Sequence, residues 1–174
     1  MTSPIAPSSS QAFTFSPSYG SDFALTDGDD PAASGQLAPG TYTVTETVPA
    51  GWDLTGLSCV DPSGGSSGVI ATATATIDLA AGETVTCTFT NTKLATITIE
   101  KTSDPAGGTG FGFTATPPVG APALFTLDDG GSQSFGSLPP NETYTFAETG
   151  LPTADPAWVL TDISCRGTDG AIVD

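Results

Sequence analysis

Several short stretches of the chain alternate apolar residues with threonine. In "TYTVTETVPAGW", Thr41–Trp52, the residues Thr41, Thr43, Thr45 and Thr47 share one face, and Tyr42, Val44 and Glu46 share the other. A period of two is the side-chain alternation of a β-strand. In "LATITIEK", Ala95, Ile97, Ile99 and Lys101 face one way, with Thr96, Thr98 and Glu100 opposite. In "TVTCTFTN", Val85, Cys87, Phe89 and Asn91 oppose Thr84, Thr86, Thr88 and Thr90. Tyr144, Phe146 and Glu148 repeat the arrangement of Tyr42, Val44 and Glu46. No stretch carries a 3.6-residue apolar period. The pattern predicts many short antiparallel strands separated by turns rich in glycine and proline.

The segments also repeat as a set. "FTF" (Phe13–Phe15) matches "FGF" (Phe111–Phe113), and "FALTDGDD" (Phe23–Asp30) matches "FTLDDGGS" (Phe125–Ser132). "GQLAPGTYTVTET" (Gly35–Thr47) matches "GSLPPNETYTFAET" (Gly136–Thr149), and "WDLTGLSC" (Trp52–Cys59) matches "WVLTDISC" (Trp158–Cys165). This order predicts two tandem all-β units, each an antiparallel β-sandwich. We expect residues 1–12 to be a flexible leader or a partial first strand, 13–92 the first unit, and 93–174 an incomplete second unit. The "LATITIEK" strand of unit two has no counterpart in unit one. The closing "IATATATIDLAAGETVTCTFTN" (Ile70–Asn91) of unit one has none in unit two. The first unit is thus expected to lack its first strand and the second its last. Either the chain is a window on a longer array, or neighbouring chains supply the missing strands.

Charge narrows the function. Nineteen acidic residues face three basic ones, histidine is absent, and the formal net charge is −16. No basic surface is available for nucleic acid or for anionic lipid. The commonest general base and metal ligand is missing. No apolar run reaches the ~20 residues of a membrane span. These features predict a non-enzymatic protein whose acidic surface suits solubility, divalent cations or basic protein partners.

Three cysteines are present. Cys59 and Cys87 lie in the first unit, and we expect them to form a disulfide; the alternative is two buried free thiols. Cys165 is the counterpart of Cys59, and the counterpart of Cys87 falls in the strand missing from unit two, so Cys165 is expected to be unpaired. The acidic loops "TDGDDP" and "LDDGG" offer Asp27, Asp29, Asp30, Asp128 and Asp129 as weak candidates for a Ca²⁺ ion. Solvated turns are the expected reading, and no cofactor is expected. Trp52 and Trp158, each at a strand start, are expected to cap the core; a glycan platform is the alternative.

Three inward polar positions remain: Lys101 ends the first strand, Glu46 or Glu148 sits in a middle strand, and Asn91 ends the last. With the "TYTVTETVPAGW" box, they resemble the collagen-adhesin B-type, prealbumin-like (SpaA-type pilin) repeat domains of bacterial surface proteins. The resemblance covers both units and implies an all-β, prealbumin-like, Ig-like sandwich. It implies a structural or adhesive repeat at the bacterial cell surface or outside the cell, acting as a rigid stalk. Two alternatives stand beside it: a self-assembling, pilus-like filament joined by strand exchange into a homopolymer, and a Ca²⁺- or glycan-binding module. In that family a Lys and an Asn are often joined by an internal isopeptide bond, with a buried Glu as proton shuttle. Carried over, this implies Lys101, Glu148, Glu46 and Asn91 as the residues for such chemistry. Unit one has no lysine before Lys93, and unit two no last-strand Asn. The alternatives are a carboxylate accepting backbone or threonine hydrogen bonds at Glu46, and a lysine reaching solvent at position 101.

Overall fold

The computed structural model describes residues 10–116, 123–153, 157–167 and 172–173. The chain divides into two compact units, Met1–Ala95 and Thr96–Asp174. Both are built from antiparallel strands.

Unit one contains β1 (Phe13–Pro17), β2 (Phe23–Leu25), β3 (Gly40–Thr47), β4 (Trp52–Val60), β5 (Ser67–Val69), β6 (Thr74–Leu79) and β7 (Thr86–Lys93). One sheet has the order β2-β1-β3-β6-β5; β4 and β7 form the second. The alternation read from the sequence decides which face is buried. Val44 and Glu46 of β3 point inward while Thr47 is exposed; in β7, Thr86, Thr88 and Thr90 are exposed while Cys87, Phe89 and Asn91 are half-buried. Phe13, Phe15 and Val44 form the core, with Phe23, Trp52, Ile77 and Phe89 packed around them. Phe89 meets Phe15 edge-on at 5.1 Å, and Trp52 meets Phe13 edge-on at 5.2 Å. These contacts join the two sheets. Burying each such ring is worth about 1.5–3 kcal/mol. Trp52 therefore caps the core. Cys59 stands directly opposite Cys87 in the β4–β7 ladder, and the two form the expected disulfide.

Unit two contains β8 (Ala95–Glu100, its first residue at the unit boundary), β9 (Phe111–Thr116), β10 (Leu124–Leu127), β11 (Ser132–Leu138), β12 (Thr145–Gly150), β13 (Cys165–Arg166) and β14 (Ile172–Val173). The strands pair as β10-β9-β12, β11-β8 and β13-β14. Phe111, Phe113 and Leu127 make one core cluster, with Trp158 packed on it. Ala115, Phe135 and Leu138 make another, covered by Ile97 and Ile99 of β8. At the end of β12 a bulge separates Glu148 from Gly150. A Cβ on Gly112 would lie 3.2 Å from the Gly150 Cα, so glycine on both strands permits this close pairing.

Aligned through the repeat, β1, β2 and β3 correspond to β9, β10 and β12. Among the described residues, β8 has no counterpart in unit one, and β6 and β7 have none in unit two. The stretch of unit one equivalent to β11, up to Leu37, forms no strand. Exposed Ser34 stands where Phe135, 3 % exposed, packs in unit two.

Replacing both Cys59 and Cys87 by serine is expected to lower the stability of unit one by about 3–4 kcal/mol, from release of the 28-residue closed loop. Urea unfolding followed by tryptophan fluorescence, with Trp158 replaced to isolate the Trp52 signal, reads the shift. An unmoved midpoint would show that the β4–β7 ladder holds without the bridge.

Candidate functional site

In each unit the glutamate that alternation places on an apolar face makes a polar contact between the sheets. In unit one Glu46 lies on β3, opposite Phe15 of β1, and is only 4 % exposed. Asn91 lies on β7, opposite Leu54 of β4. Asn91 Nδ2 donates to Glu46 Oε1 at 2.6 Å. Because β3 and β7 belong to different sheets, this bond crosses the sandwich. Glu46 therefore receives a side-chain amide rather than a backbone or threonine donor. The other halves of both groups, Glu46 Oε2 and Asn91 Oδ1, are buried without a hydrogen-bond partner. Burial pushes the Glu46 carboxyl above its ordinary range, and the Asn91 hydrogen bond pulls the other way. Lys93, the next lysine along the chain, is exposed at the end of β7.

In unit two the partner is a cation. Lys101 follows β8 directly, its backbone held by Lys101 N–H to Gly131 O at 3.0 Å and Gly130 N–H to Lys101 O at 2.8 Å. Its Nζ lies 3.0 Å from Glu148 Oε1, with the two side chains 13 % and 4 % exposed. The ammonium also sits 4.2 Å from the Phe111 ring centroid, a cation–π contact. The lysine thus turns inward rather than to solvent. The contact is one of charge on charge, since Glu148 Oε1 has no aligned hydrogen bond.

The four inward polar residues are therefore brought together as two different pairs. Unit one unites carboxylate and carboxamide, and unit two unites ammonium and carboxylate. Among the described residues no unit assembles all three groups.

The acidic loops have local partners. Asp29 accepts from Thr26 N–H at 2.6 Å and Thr26 Oγ1 at 2.8 Å. Asp128 accepts from Gly110 N–H at 2.7 Å, and Asp129 from Ser103 N–H at 2.7 Å and Gly107 N–H at 2.9 Å. Backbone donors hold Asp29 and Asp129 below the ordinary carboxylate range. Asp129 thereby clamps the loop that follows Lys101 and helps to fix that lysine. The sequence reading missed a third clamp. Asp61 accepts from Ser63, Gly64 and Ser66 N–H groups, and Glu83 from Ser63 and Ala80, closing the loop beyond Cys59. Hydrogen bonding from Ser66 is the first cause of its strongly lowered carboxyl pKa. The signal was an Asp followed by Pro, Ser and Gly, the makings of an Asx turn. Among the described residues no three His, Cys, Asp or Glu side chains group as metal ligands, and no helix is long and apolar enough to cross a membrane.

Comparison with known protein families gives a match to the SpaA-type prealbumin-like fold domain, twice, over residues 3–93 and 97–174. No curated protein and no solved structure matches the chain.

The two glutamates should respond with opposite sign to the same substitution. A carboxyl raised in the folded state costs stability as pH climbs from its ordinary 4.5 through its folded value, because the unfolded chain ionises first. Glu46→Gln removes that cost and supplies an N–H to Asn91 Oδ1, so at pH 7 it should stabilise unit one by about 1 kcal/mol. The gain should fade toward pH 4. Glu148→Gln leaves Lys101 without its counter-charge and should destabilise unit two by about 3 kcal/mol. Urea midpoints between pH 4 and 8 check both; a Glu46→Gln protein that is less stable at pH 7 than the parent contradicts the first.

Proposed function

Because the chain belongs to the SpaA-type prealbumin-like fold family through both of its units, we propose that it is a structural and adhesive repeat of a bacterial surface or extracellular protein, working as a rigid stalk. The observation that carries the stalk reading is the junction. β7 ends at Lys93 and β8 begins at Ala95, leaving Leu94 alone between them. Leu94 is itself held, its N–H donating to Gly51 O at 2.8 Å. No run of free residues is left to act as a flexible tether. The disulfide suits an oxidising compartment outside the cytoplasm. Outward threonines and a charge of −16 favour a soluble, self-repelling surface. We read the protein as a non-enzyme that takes proteins as partners, because its paired carboxylates are buried against structural neighbours rather than open to a substrate.

The isopeptide chemistry that the family resemblance implies takes a restricted form in this reading. Glu46 with Asn91, and Lys101 with Glu148, each hold two of the three groups required. The bond between a lysine Nζ and an asparagine side-chain carbonyl, with ammonia leaving, needs the third group from a neighbouring strand. The purified chain alone should therefore show the full mass of its sequence, less the two hydrogens of the disulfide. Loss of one ammonia in the intact mass would refute this.

Spin labels on the two units test the stalk. Electron–electron resonance on the parent should give a narrow distance distribution, and an eight-residue Gly-Ser insertion after Leu94 should broaden it. Equal breadth in both proteins would overturn the stalk reading.

A further inference from the structure

The Cys59–Cys87 bridge sits near the open end of its ladder. Cys59↔Cys87 is the last pair but one, and Val60↔Thr86 ends the run of β4 against β7. Val60 is 73 % exposed there. Both cysteines are half-buried, within reach of a small thiol. Ladder ends fray before ladder centres. With the bridge reduced, strands held by backbone bonds alone would part from this end first.

A set of side chains opposes that parting. Ser63 stands four residues after Cys59, and Glu83 four residues before Cys87. The Ser63 N–H donates to Glu83 Oε1 at 2.8 Å, and the Ser63 hydroxyl to Glu83 Oε2 at 3.1 Å. Each partner is also fixed on its own side. Asp61 Oδ1 accepts from the Ser63 N–H at 3.0 Å and from its hydroxyl at 3.2 Å. Asp61 Oδ2 accepts from the Ser66 N–H at 2.9 Å, and the Ser66 hydroxyl accepts from the Asp78 N–H at 3.0 Å. Glu83 Oε2 accepts from the Ala80 N–H at 2.8 Å. The segment leaving β4 is thus tied to the segment entering β7 by bonds that involve neither sulfur. Every residue of this clamp lies between the two cysteines in sequence, in one unbroken described stretch.

The consequence for the thiols follows from loop length. Cys59 and Cys87 are 28 residues apart in sequence. The Ser63–Glu83 contact shortens the loop between them to about eight residues, so loop-closure entropy makes the two thiols meet about sixfold more readily. We propose that Asp61, Ser63 and Glu83 make the Cys59–Cys87 bridge a reversible redox latch, which a small-thiol couple of the glutathione class opens without unfolding the unit and closes again. In opening, a small thiolate attacks one cysteine sulfur, the S–S bond breaks, and the other cysteine leaves as thiolate. A second small thiolate attacks the small-thiol sulfur of the mixed disulfide. The small disulfide forms, and the second cysteine leaves as thiolate. Closing runs both exchanges in reverse, and two electrons pass from the cysteines to the small disulfide. Closed, the latch fixes β7 to β4; open, the clamp and the Phe89–Phe15 contact keep β7 in place. Asp61, Ser63 and Glu83 are positioning residues, since none of them enters the exchange.

The test equilibrates the full-length protein with mixtures of reduced and oxidised glutathione at neutral pH. It carries Cys165→Ser, so that the exposed third thiol takes no part. Alkylation and peptide mapping give the bridged fraction, and from it the effective concentration of one thiol about the other. Glu83→Ala should lower that concentration about sixfold. Glu83→Gln, which loses the charge but keeps a carbonyl to accept from Ser63, should stay close to the parent. A clamp that merely stabilised the fold would support the bridged and reduced forms alike. Glu83→Ala would then lower the urea midpoints of both forms and leave the effective concentration unmoved, and that result overturns the proposal. An equal fall in Glu83→Gln and Glu83→Ala would assign the effect to charge and also overturn it. With Trp158 replaced, the Trp52 emission maximum of the fully reduced protein should match that of the bridged form. An unfolded spectrum would show that the bridge alone holds the unit, which likewise overturns the latch.

Discussion

A strand needs a neighbour to take its N–H and C=O groups, and in this chain that requirement overrides local preference. "WDLTGLSC" and "WVLTDISC" have the same alternation and almost the same composition. The first is strand β4, because β7 lies beside it. The second is open chain as far as Ser164, because no described strand pairs with it. β11 pairs with β8, while the unit-one stretch equivalent to β11 forms no strand and pairs with no described strand. Strand propensity describes fit to a pleated, half-buried surface, and that surface exists only where a neighbour makes it.

The ladder also decides the fate of the buried glutamates. Stacked sheets lie about 10 Å apart, near enough for side chains from both to meet in the middle. Register is strict here: a slip of one residue would move Glu46 to the threonine face and Thr45 into the core. With β3 in place, Glu46 needs a donor, and only the opposite sheet can offer one within the core. Unit one finds it in Asn91, at the cost of two buried acceptors left unmatched. Unit two finds it in Lys101, whose ammonium is flanked by Phe111 as well. The disulfide belongs to the same logic. It fixes β7 to β4 at Cys87, two alternations from Asn91, so the carboxamide is held where Glu46 can reach it.

Much of this was legible from alternation and repetition alone. Parity placed Glu46, Asn91, Lys101 and Glu148 on inward faces, and the repeat paired Cys165 with Cys59 rather than with a partner of its own. What parity could not give was which inward residues meet, because that depends on which strands are present to carry them. Lys101 illustrates the limit. Its position at a strand end suits solvent equally well, and it turns inward because Gly130 and Gly131 hold its backbone and Asp129 fixes the following loop. The Asp128–Asp129 pair was read as a weak metal candidate or a solvated turn. Its oxygens accept backbone N–H groups from a loop some twenty residues away in sequence, a closure that composition does not encode.

The position of the disulfide decides which strands carry load when the chain is pulled. Tension entering unit one at Lys93 acts first on β7, the strand that could be peeled from β4 one ladder bond at a time. The Cys59–Cys87 bridge stops that peeling at Cys87 and passes the load to β4. It also withholds the chain between the cysteines, about 95 Å of contour length for a separation of 28 residues. Among the described residues unit two has no such bridge, and its Trp158–Cys165 segment lacks the ladder that would share a load. Its sheets are joined instead by the apolar core and by the Lys101–Glu148 pair, which yields by separating two charges rather than by breaking a covalent bond.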